Sequence, residues 1–239
     1  YPDVAGTGYY PLYFSRGVML EAEVLAKHRR ESGQSTKSGK IVQVYRDHPL
    51  GLTISRAFRD ALRERGGEPV IDYALPETGP LPADFLAKLH RNQHPGTLVL
   101  WLDSSDLNAL DFAEAPPAGL EAVYVSASLS AMRSPDLPEN WLSKLMMVYP
   151  FDLPATRAQR MARLNAWLRA RNIPPGDERT QANAFFAATI TGDAVSHLRE
   201  NFSRDYFIER IENMTQSSLS PSIYPHLSLG PGQRFASKG

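Results

Sequence analysis

The sequence contains no cysteine. This absence excludes disulfide bonds, thiolate metal sites, a cysteine nucleophile and covalent haem attachment. An excess of charge of one sign is absent too, because 26 Lys and Arg residues balance 26 Asp and Glu residues. Nucleic-acid binders carry a basic bias, so the composition argues against a nucleic-acid partner.

Long apolar runs and catalytic signatures are also lacking. No run approaches the roughly 18 residues of a membrane-spanning helix, so we predict no direct insertion into a membrane. The sequence has no G-x-S-x-G, no G-x-G-x-x-G and no P-loop. His90 and His94 have the spacing of two metal ligands on one helix, but no acid or third histidine lies nearby. We therefore predict no enzymatic activity, no cofactor and no metal site.

The clearest pattern present is an apolar stretch at residues 41–44, followed by a polar turn that ends at Gly51. Ile54, Phe58 and Leu62 then recur at the spacing of one helix face. A buried strand that leads into a crossover helix is the repeating unit of a parallel sheet.

This unit repeats as far as residue 150. The near-continuous apolar runs predict five buried strands, at residues 41–47, 69–75, 97–103, 121–126 and 144–149. Helices are predicted at residues 18–30, 52–65, 82–92 and 105–112. Right-handed crossovers between five parallel strands give an α/β, doubly wound sheet with the strand order 2-1-3-4-5.

The pattern changes after residue 150. Helices are predicted at residues 156–171, 179–199 and 204–214, and an irregular hairpin is predicted for the tail. Three successive helices without strands cannot alternate with the first sheet. We expect them to cover another surface.

The order of these segments resembles the type I periplasmic binding proteins, in the leucine/isoleucine/valine-binding branch of ABC-transporter receptors. The resemblance rests on a series of matching segments over nearly the whole chain. The first two are the helix segment from Phe14-Ser15-Arg16-Gly17 through Ala26 and the strand and turn at 39–47, which Gly51 closes. The third is a helix end and the strand after it, marked by Phe58, Leu62, Gly66-Gly67 and residues 68–73. The last two are the helix at 181–194 and the tail from Tyr224.

The resemblance implies two lobes that close on a small ligand. Residues 1–39 would lead from the first lobe, 40–150 would form the complete second lobe, and 151–239 would return to the first lobe. Tyr149, Pro150 and Phe151 would form a hinge crossing. The N-terminal strands of the first lobe would then lie outside this chain, so we expect a fragment.

The predicted binding site lies at the carboxyl ends of the strands, where doubly wound sheets bind their ligands. The candidate ligand-binding residues are Asp47, Leu50, Asp103, Ser104, Ser105, Ser126 and Ser128. Two structural alternatives stay open: Ser104 or Ser105 caps the following helix, and Asp103 forms a turn. Members of the family often have an aromatic residue where Leu50 stands and an acid where Ser126 and Ser128 stand.

The resemblance implies a periplasmic receptor that presents an amino acid, amide or short carboxylate to a membrane permease. A flavodoxin-like enzyme or nucleotide-binding domain is the alternative, with Asp47, Asp103 and Ser126 at the switch point of the sheet. A third possibility is a receptor fold used as a sensor module in a larger signalling or redox protein.

Overall fold

A five-stranded parallel sheet forms the core of residues 17–149 of this protein, whose structure is a computed structural model. The structure describes residues 10–32, 39–82, 84–112, 115–131, 138–198, 203–214, 223–230 and 234–238, apart from the side chains of His226 and Lys238. The strands are β1 Ile41–Arg46, β2 Val70–Leu75, β3 Thr97–Trp101, β4 Ala122–Ser126 and β5 Leu145–Val148. Their order is β2-β1-β3-β4-β5, so the predicted doubly wound fold is confirmed.

The register explains why the apolar runs are continuous. Ile41 of β1 lies opposite Val70 of β2 on one side and Thr97 of β3 on the other, and all four strand pairs are parallel. Every residue of β3 and β4 is buried, whereas the edge strand β2 is mostly half-exposed. Central strands covered on both faces cannot alternate between polar and apolar side chains.

Five helices belong to this part of the chain: α1 Val18–Glu31, α2 Pro49–Glu64, α3 Phe85–Gln93, α4 Ser104–Ala109 and α5 Glu139–Leu142. One apolar cluster joins α1 and α2 to the sheet, and a second joins α3, α4 and α5 to it. The short helix α5 has no counterpart among the predicted helices.

The start of α2 fixes the geometry of the first turn. The helix begins at Pro49, three residues earlier than predicted, because His48 caps it: the Gly51 N–H donates to His48 Nδ1 at 3.1 Å. A Cβ atom on residue 51 would lie 2.0 Å from the carbonyl oxygen of Arg46. Only glycine fits at this position.

The chain divides into two compact units, one of which spans Gly17–Tyr149 and the other the described residues on either side of it. The first unit begins before the predicted segment boundary at residue 39. The reason is that α1 packs on the sheet, with Val18, Leu25 and Ala26 buried in the cluster that contains Ile41.

The second unit contains the three predicted helices, α6 Pro154–Ala170, α7 Glu178–Ser196 and α8 Arg204–Met214. The tail forms the short antiparallel pair β6 His226–Leu227 and β7 Ser237–Lys238. A backbone bridge links Tyr13 to Phe235, and Phe14, Phe186 and Ile211 share one apolar cluster. In the described part of the chain, no helix combines the length and the apolar character needed to cross a membrane.

Candidate functional site

The carboxyl edge of the sheet, defined as the ends of the strands and the loops that follow them, gathers the predicted site residues. The adjacent strands β1, β3 and β4 end at Arg46, Trp101 and Ser126. Neighbouring strands lie about 4.8 Å apart, so the loops that follow them are neighbours too. Asp47, Asp103 and Ser128 therefore share one edge of the sheet.

The loop after β1 contributes one exposed acid and one apolar side chain. Asp47 is exposed, and its N–H donates to the carbonyl oxygen of Leu75 at 2.8 Å. Leu50 is half-buried and packs against the cluster formed by α1 and α2. The exposed carboxylate of Asp47 is thus available to a polar ligand.

The loop after β3 shows which residue caps the helix that follows it. Asp103 caps α4, since its Oδ1 accepts a hydrogen bond from the Asp106 N–H at 2.9 Å. Ser104 and Ser105 are the first two residues of the helix, so the prediction that one of them caps it is wrong. The helix begins one residue before the predicted start, and this shift moves the capping position to Asp103.

Arg46, the last residue of β1, ties the loop after β2 to α4. Its Nε donates to Asp106 Oδ2 at 2.9 Å and its Nη2 donates to Asp106 Oδ1. Further bonds run from Nη1 to the carbonyl oxygen of Pro76 at 3.0 Å and from Nη2 to that of Gly79 at 2.8 Å. The hydrogen bond to Asp106 raises the pKa of Arg46 above its ordinary value, against the opposing effect of burial. Arg46 was not among the predicted site residues.

The loop after β4 is held by a buried carboxylate from α1. The Ser126 hydroxyl donates to Glu21 Oε2 at 2.5 Å, and the Ser128 N–H donates to Glu21 Oε1 at 2.9 Å. The Ser126 oxygen also accepts a hydrogen bond from the Leu129 N–H at 3.0 Å. Ser126 and Glu21 are both fully buried. The Ser126 hydroxyl therefore fixes the loop, while the half-buried Ser128 lies nearer the surface.

Glu21 was not among the predicted site residues, although the spacing of apolar residues in α1 indicates that it is buried. Val18, Ala22, Leu25 and Arg29 follow the spacing of a core-facing helix stripe, and Glu21 falls on the same stripe. A charged residue on a buried stripe requires a partner, and the loop after β4 supplies it. Glu21 thus brings a buried carboxylate to the loop after β4.

The histidines weighed as metal ligands lie at the end of α3. The ring centroids of His90 and His94 are 5.6 Å apart. Within the described ranges, no group of three or more His, Cys, Asp or Glu residues could hold a metal ion.

No protein-family model matches the sequence, and no curated protein matches it either. Solved structures do match. A structure from Rhodospirillum rubrum, named as a branched-chain amino acid ABC transporter, is 18% identical with a TM-score of 0.62; the match covers 91% of this chain and 61% of that one. A periplasmic binding protein type 1 from Bordetella pertussis Tohama I is 12% identical with a TM-score of 0.53, covering 95% and 62%. The chain has the fold of a type I periplasmic binding protein.

A third structure with this fold is a fatty acid ABC transporter substrate-binding protein from Thermomonospora curvata. It is 13% identical with a TM-score of 0.54, and the match covers 95% of this chain and 57% of that one. The chain therefore spans between 57% and 62% of the length of these three structures. The resemblance predicted from the sequence is confirmed at the level of the fold.

The predicted hinge of this type I periplasmic binding protein fold lies at a structural boundary. The first compact unit ends at Tyr149, and Pro150 and Phe151 belong to the second. Pro150 and Phe151 are both buried. The boundary is an observation, whereas hinge motion at these residues stays a prediction.

Proposed function

We propose that this chain is part of the substrate-binding receptor of an ABC-type uptake system and that it binds a small polar solute without catalysis. One observation supports the proposal: the chain has a type I periplasmic binding protein fold, and Asp47, Asp103, Ser105 and Ser128 lie at the carboxyl edge of its sheet. Doubly wound sheets bind ligands at this edge. The absence of catalytic signatures from the sequence supports a receptor over an enzyme.

The residues at the edge support a ligand with hydrogen-bond donors. The exposed carboxylates of Asp47 and Asp103 can accept hydrogen bonds from an ammonium or amide group. Hydroxyl groups of Ser104, Ser105 and Ser128 can donate to or accept from a polar ligand. We propose an amino acid or an amide, which carry such donors, or a short carboxylate, to which the serine hydroxyls can donate. Structures with this fold are named for solutes as different as branched-chain amino acids and fatty acids, so the fold alone does not choose among them.

The binding mode that we propose uses two lobes. Residues 40–150 form the second lobe, and residues 151–239 return to the first. Closure takes place at Tyr149, Pro150 and Phe151, and the solute stabilises the closed state because both lobes contact it. The partner that receives the solute is a membrane permease, and the receptor works in the periplasm or an equivalent extracytoplasmic space.

Calorimetric titration of the natural full-length protein tests this proposal. The ligands are single amino acids, amides, short carboxylates and ureas, and small-angle scattering follows the radius of gyration. We expect one solute class to bind with a 1:1 stoichiometry and to make the protein more compact. Absence of binding across all four classes, together with an unchanged radius of gyration, would contradict a solute-binding role.

Variants at the carboxyl edge test the location of the site. Asp47→Asn and Asp103→Asn keep the side-chain size, and Asn can still cap α4. Each variant should weaken binding of the identified solute about tenfold, since a charged hydrogen bond is roughly twice as strong as a neutral one. Asp60→Asn, on the exposed surface of α2, is the matched control. Unchanged affinity in both edge variants would move the site elsewhere.

The alternative is a flavodoxin-like enzyme or nucleotide-binding domain. The compact unit Gly17–Tyr149 favours it, because this unit has two apolar clusters of its own around a complete sheet. A self-contained site predicts that residues 17–149 bind their ligand as tightly as the full-length protein does. A receptor lobe predicts a loss of affinity in this truncated form, because half of the contacts are removed.

A further inference from the structure

A cavity of about 220 Å³ lies at the amino edge of the sheet, defined as the starts of the strands and the helix ends that precede them. The C-terminal ends of α1 and α2 and the first residue of β1 line it. A cavity needs only about 15 Å³ of such volume to hold one water molecule, so this one has room for a small polyatomic ion. It lies at the opposite end of the strands from the proposed solute site.

Three arginines line the cavity, and one carboxylate opposes them. Arg29, Arg30 and Arg65 provide three positive charges, and Glu68 provides one negative charge. Arg29 is only 1% exposed and donates to Thr97 Oγ1 at 2.8 Å; its Nη2 lies 4.0 Å from Glu68 Oε2. The lining therefore has two formal positive charges in excess.

A structural role accounts for only part of this cluster. Arg30 donates one N–H to the carbonyl oxygen of Arg65 at 3.0 Å, and Arg65 donates one to that of Ala61 at 2.9 Å. These bonds cap the end of α2, and the two helix ends together contribute about one unit of negative charge. Each guanidinium has five donors, and neither Arg30 nor Arg65 forms an ion pair with a described residue. Positive charge and donors both remain after the capping is counted.

The turn after α2 leaves the rim of the cavity open. Gly66 adopts a left-handed conformation with φ +68, and a Cβ atom added there would meet nothing within 4 Å. The rim thus has no side chain at this point, and a ligand can approach the arginines from solvent.

We infer that this cavity binds a phosphate group, either as inorganic phosphate or as the head of a small phosphomonoester. About one unit of positive charge remains after the two helix ends are counted, and the three guanidinium groups together offer more hydrogen-bond donors than a monocarboxylate can accept. Planar guanidinium groups recognise pairs of phosphate oxygens, and three of them can engage a tetrahedral anion from different sides. Arg30 and Arg65 bind at the rim, Arg29 supplies the buried charge, and Glu68 weakens the attraction.

Calorimetry of the 239-residue chain with inorganic phosphate tests the inference, with sodium chloride holding the ionic strength constant. We expect one phosphate per chain. Arg65→Gln and Arg30→Gln should each weaken binding about tenfold, and Glu68→Gln should strengthen it several-fold, because a repulsive carboxylate is removed. Arg63→Gln is the matched control, since Arg63 lies on the same helix but pairs with Asp60 in solvent.

Two results would overturn the inference. One is no phosphate binding at millimolar concentration; the other is an Arg63→Gln variant that loses as much affinity as Arg65→Gln, which would show unspecific attraction to a charged surface. Unfolding curves of the variants distinguish a chain that does not fold from a folded chain that has lost phosphate binding. If Arg65→Gln does not fold, Arg30→Gln provides the test of binding. Tighter binding of glycerol phosphate than of inorganic phosphate would support a phosphomonoester, and the reverse order would support the free ion.

Discussion

The two edges of the sheet carry buried charges of opposite sign, and α1 supplies both. Glu21 lies at the carboxyl edge and Arg29 at the amino edge, eight residues and about 12 Å further along the helix. Both oxygens of Glu21 accept hydrogen bonds, of 2.5 and 2.9 Å, from the loop after β4, whereas Arg29 donates to Thr97 Oγ1 at 2.8 Å and its Nη2 lies 4.0 Å from Glu68 Oε2. At the carboxyl edge the buried carboxylate is held by the loop next to it, and at the amino edge a cavity lies beside the buried cation.

Substitution of one glycine at each edge should give the largest difference in the free energy of unfolding. Gly51→Ala places a Cβ atom 2.0 Å from the Arg46 carbonyl oxygen, so the backbone must shift; we expect a loss of about 3 kcal/mol in the free energy of unfolding. Gly66→Ala, at the amino edge, meets no atom within 4 Å and should lose only about 1 kcal/mol through its left-handed conformation. Urea denaturation measures both. Equal losses would mean that the carboxyl-edge turn can relax.

The ion pairs of the two edges should give the second-largest difference in the free energy of unfolding. Asp106→Ala leaves the half-buried Arg46 without its carboxylate, although two carbonyl acceptors remain, and should cost about 3 kcal/mol. Glu68→Ala removes a half-exposed partner at 4.0 Å and should cost less than about 1 kcal/mol. Backbone amide exchange in the loop at 76–79 should also accelerate in Asp106→Ala alone. Slow exchange there would contradict the role of Arg46 in tying this loop to α4.

The two buried charges of α1 can be compared directly. Glu21→Gln keeps the size of the side chain but turns one acceptor into a donor that faces the Ser126 hydroxyl or the Ser128 N–H, so we expect a loss of about 2 kcal/mol. Arg29→Met replaces a buried cation by an apolar side chain of similar length; the Thr97 hydroxyl loses a donor, while Glu68 can turn to solvent, so we expect a loss of about 1 kcal/mol. A larger loss in Arg29→Met than in Glu21→Gln would reverse the comparison.

The sequence predicted the sheet well because the apolar runs of β1, β3 and β4 reflect burial on both faces, and burial leaves a direct pattern. It also predicted that Asp47 and Asp103 share the carboxyl edge of the sheet, since parallel topology alone brings strand ends together. Helix starts were less accurate: His48 and Asp103 cap α2 and α4 ahead of the predicted starts. Caps depend on the φ and ψ angles of one residue, which periodicity does not report.

Polar contacts between residues distant in the sequence could not be predicted from the sequence pattern. Glu21 and Ser126 are 105 positions apart, and Arg46 and Asp106 are 60 apart. Helical spacing reveals that Glu21 and Arg29 face the core, but only the packing of α1 on the sheet reveals their partners. The same holds for the cavity with Arg30 and Arg65, which two separate helix ends create together.

The smallest expected effect is a pH dependence near Arg29. Burial raises the pKa of Tyr124 in β4, and the charge of Arg29 and its hydrogen bond act in the opposite direction. Since the folded state favours the neutral phenol, its stabilising contribution is complete below the unfolded pKa of about 10 and is lost as the pH rises through the raised folded pKa. Tyr124→Phe should therefore lose less stability than the parent chain between about pH 10 and 11, by less than about 1 kcal/mol.

Arg29→Met extends this test to the comparison of the two edges. Removal of the cation takes away a group that stabilises the phenolate, so the pKa of Tyr124 should rise further and the stability should fall more steeply above about pH 10. Urea denaturation at pH 7, 10 and 11 measures the slope for the parent chain and both variants. Since Glu21 lies at the other end of α1, Glu21→Gln should keep the slope of the parent chain. A steeper slope in Glu21→Gln as well would mean that α1 loosens as a whole and that its two ends do not act separately.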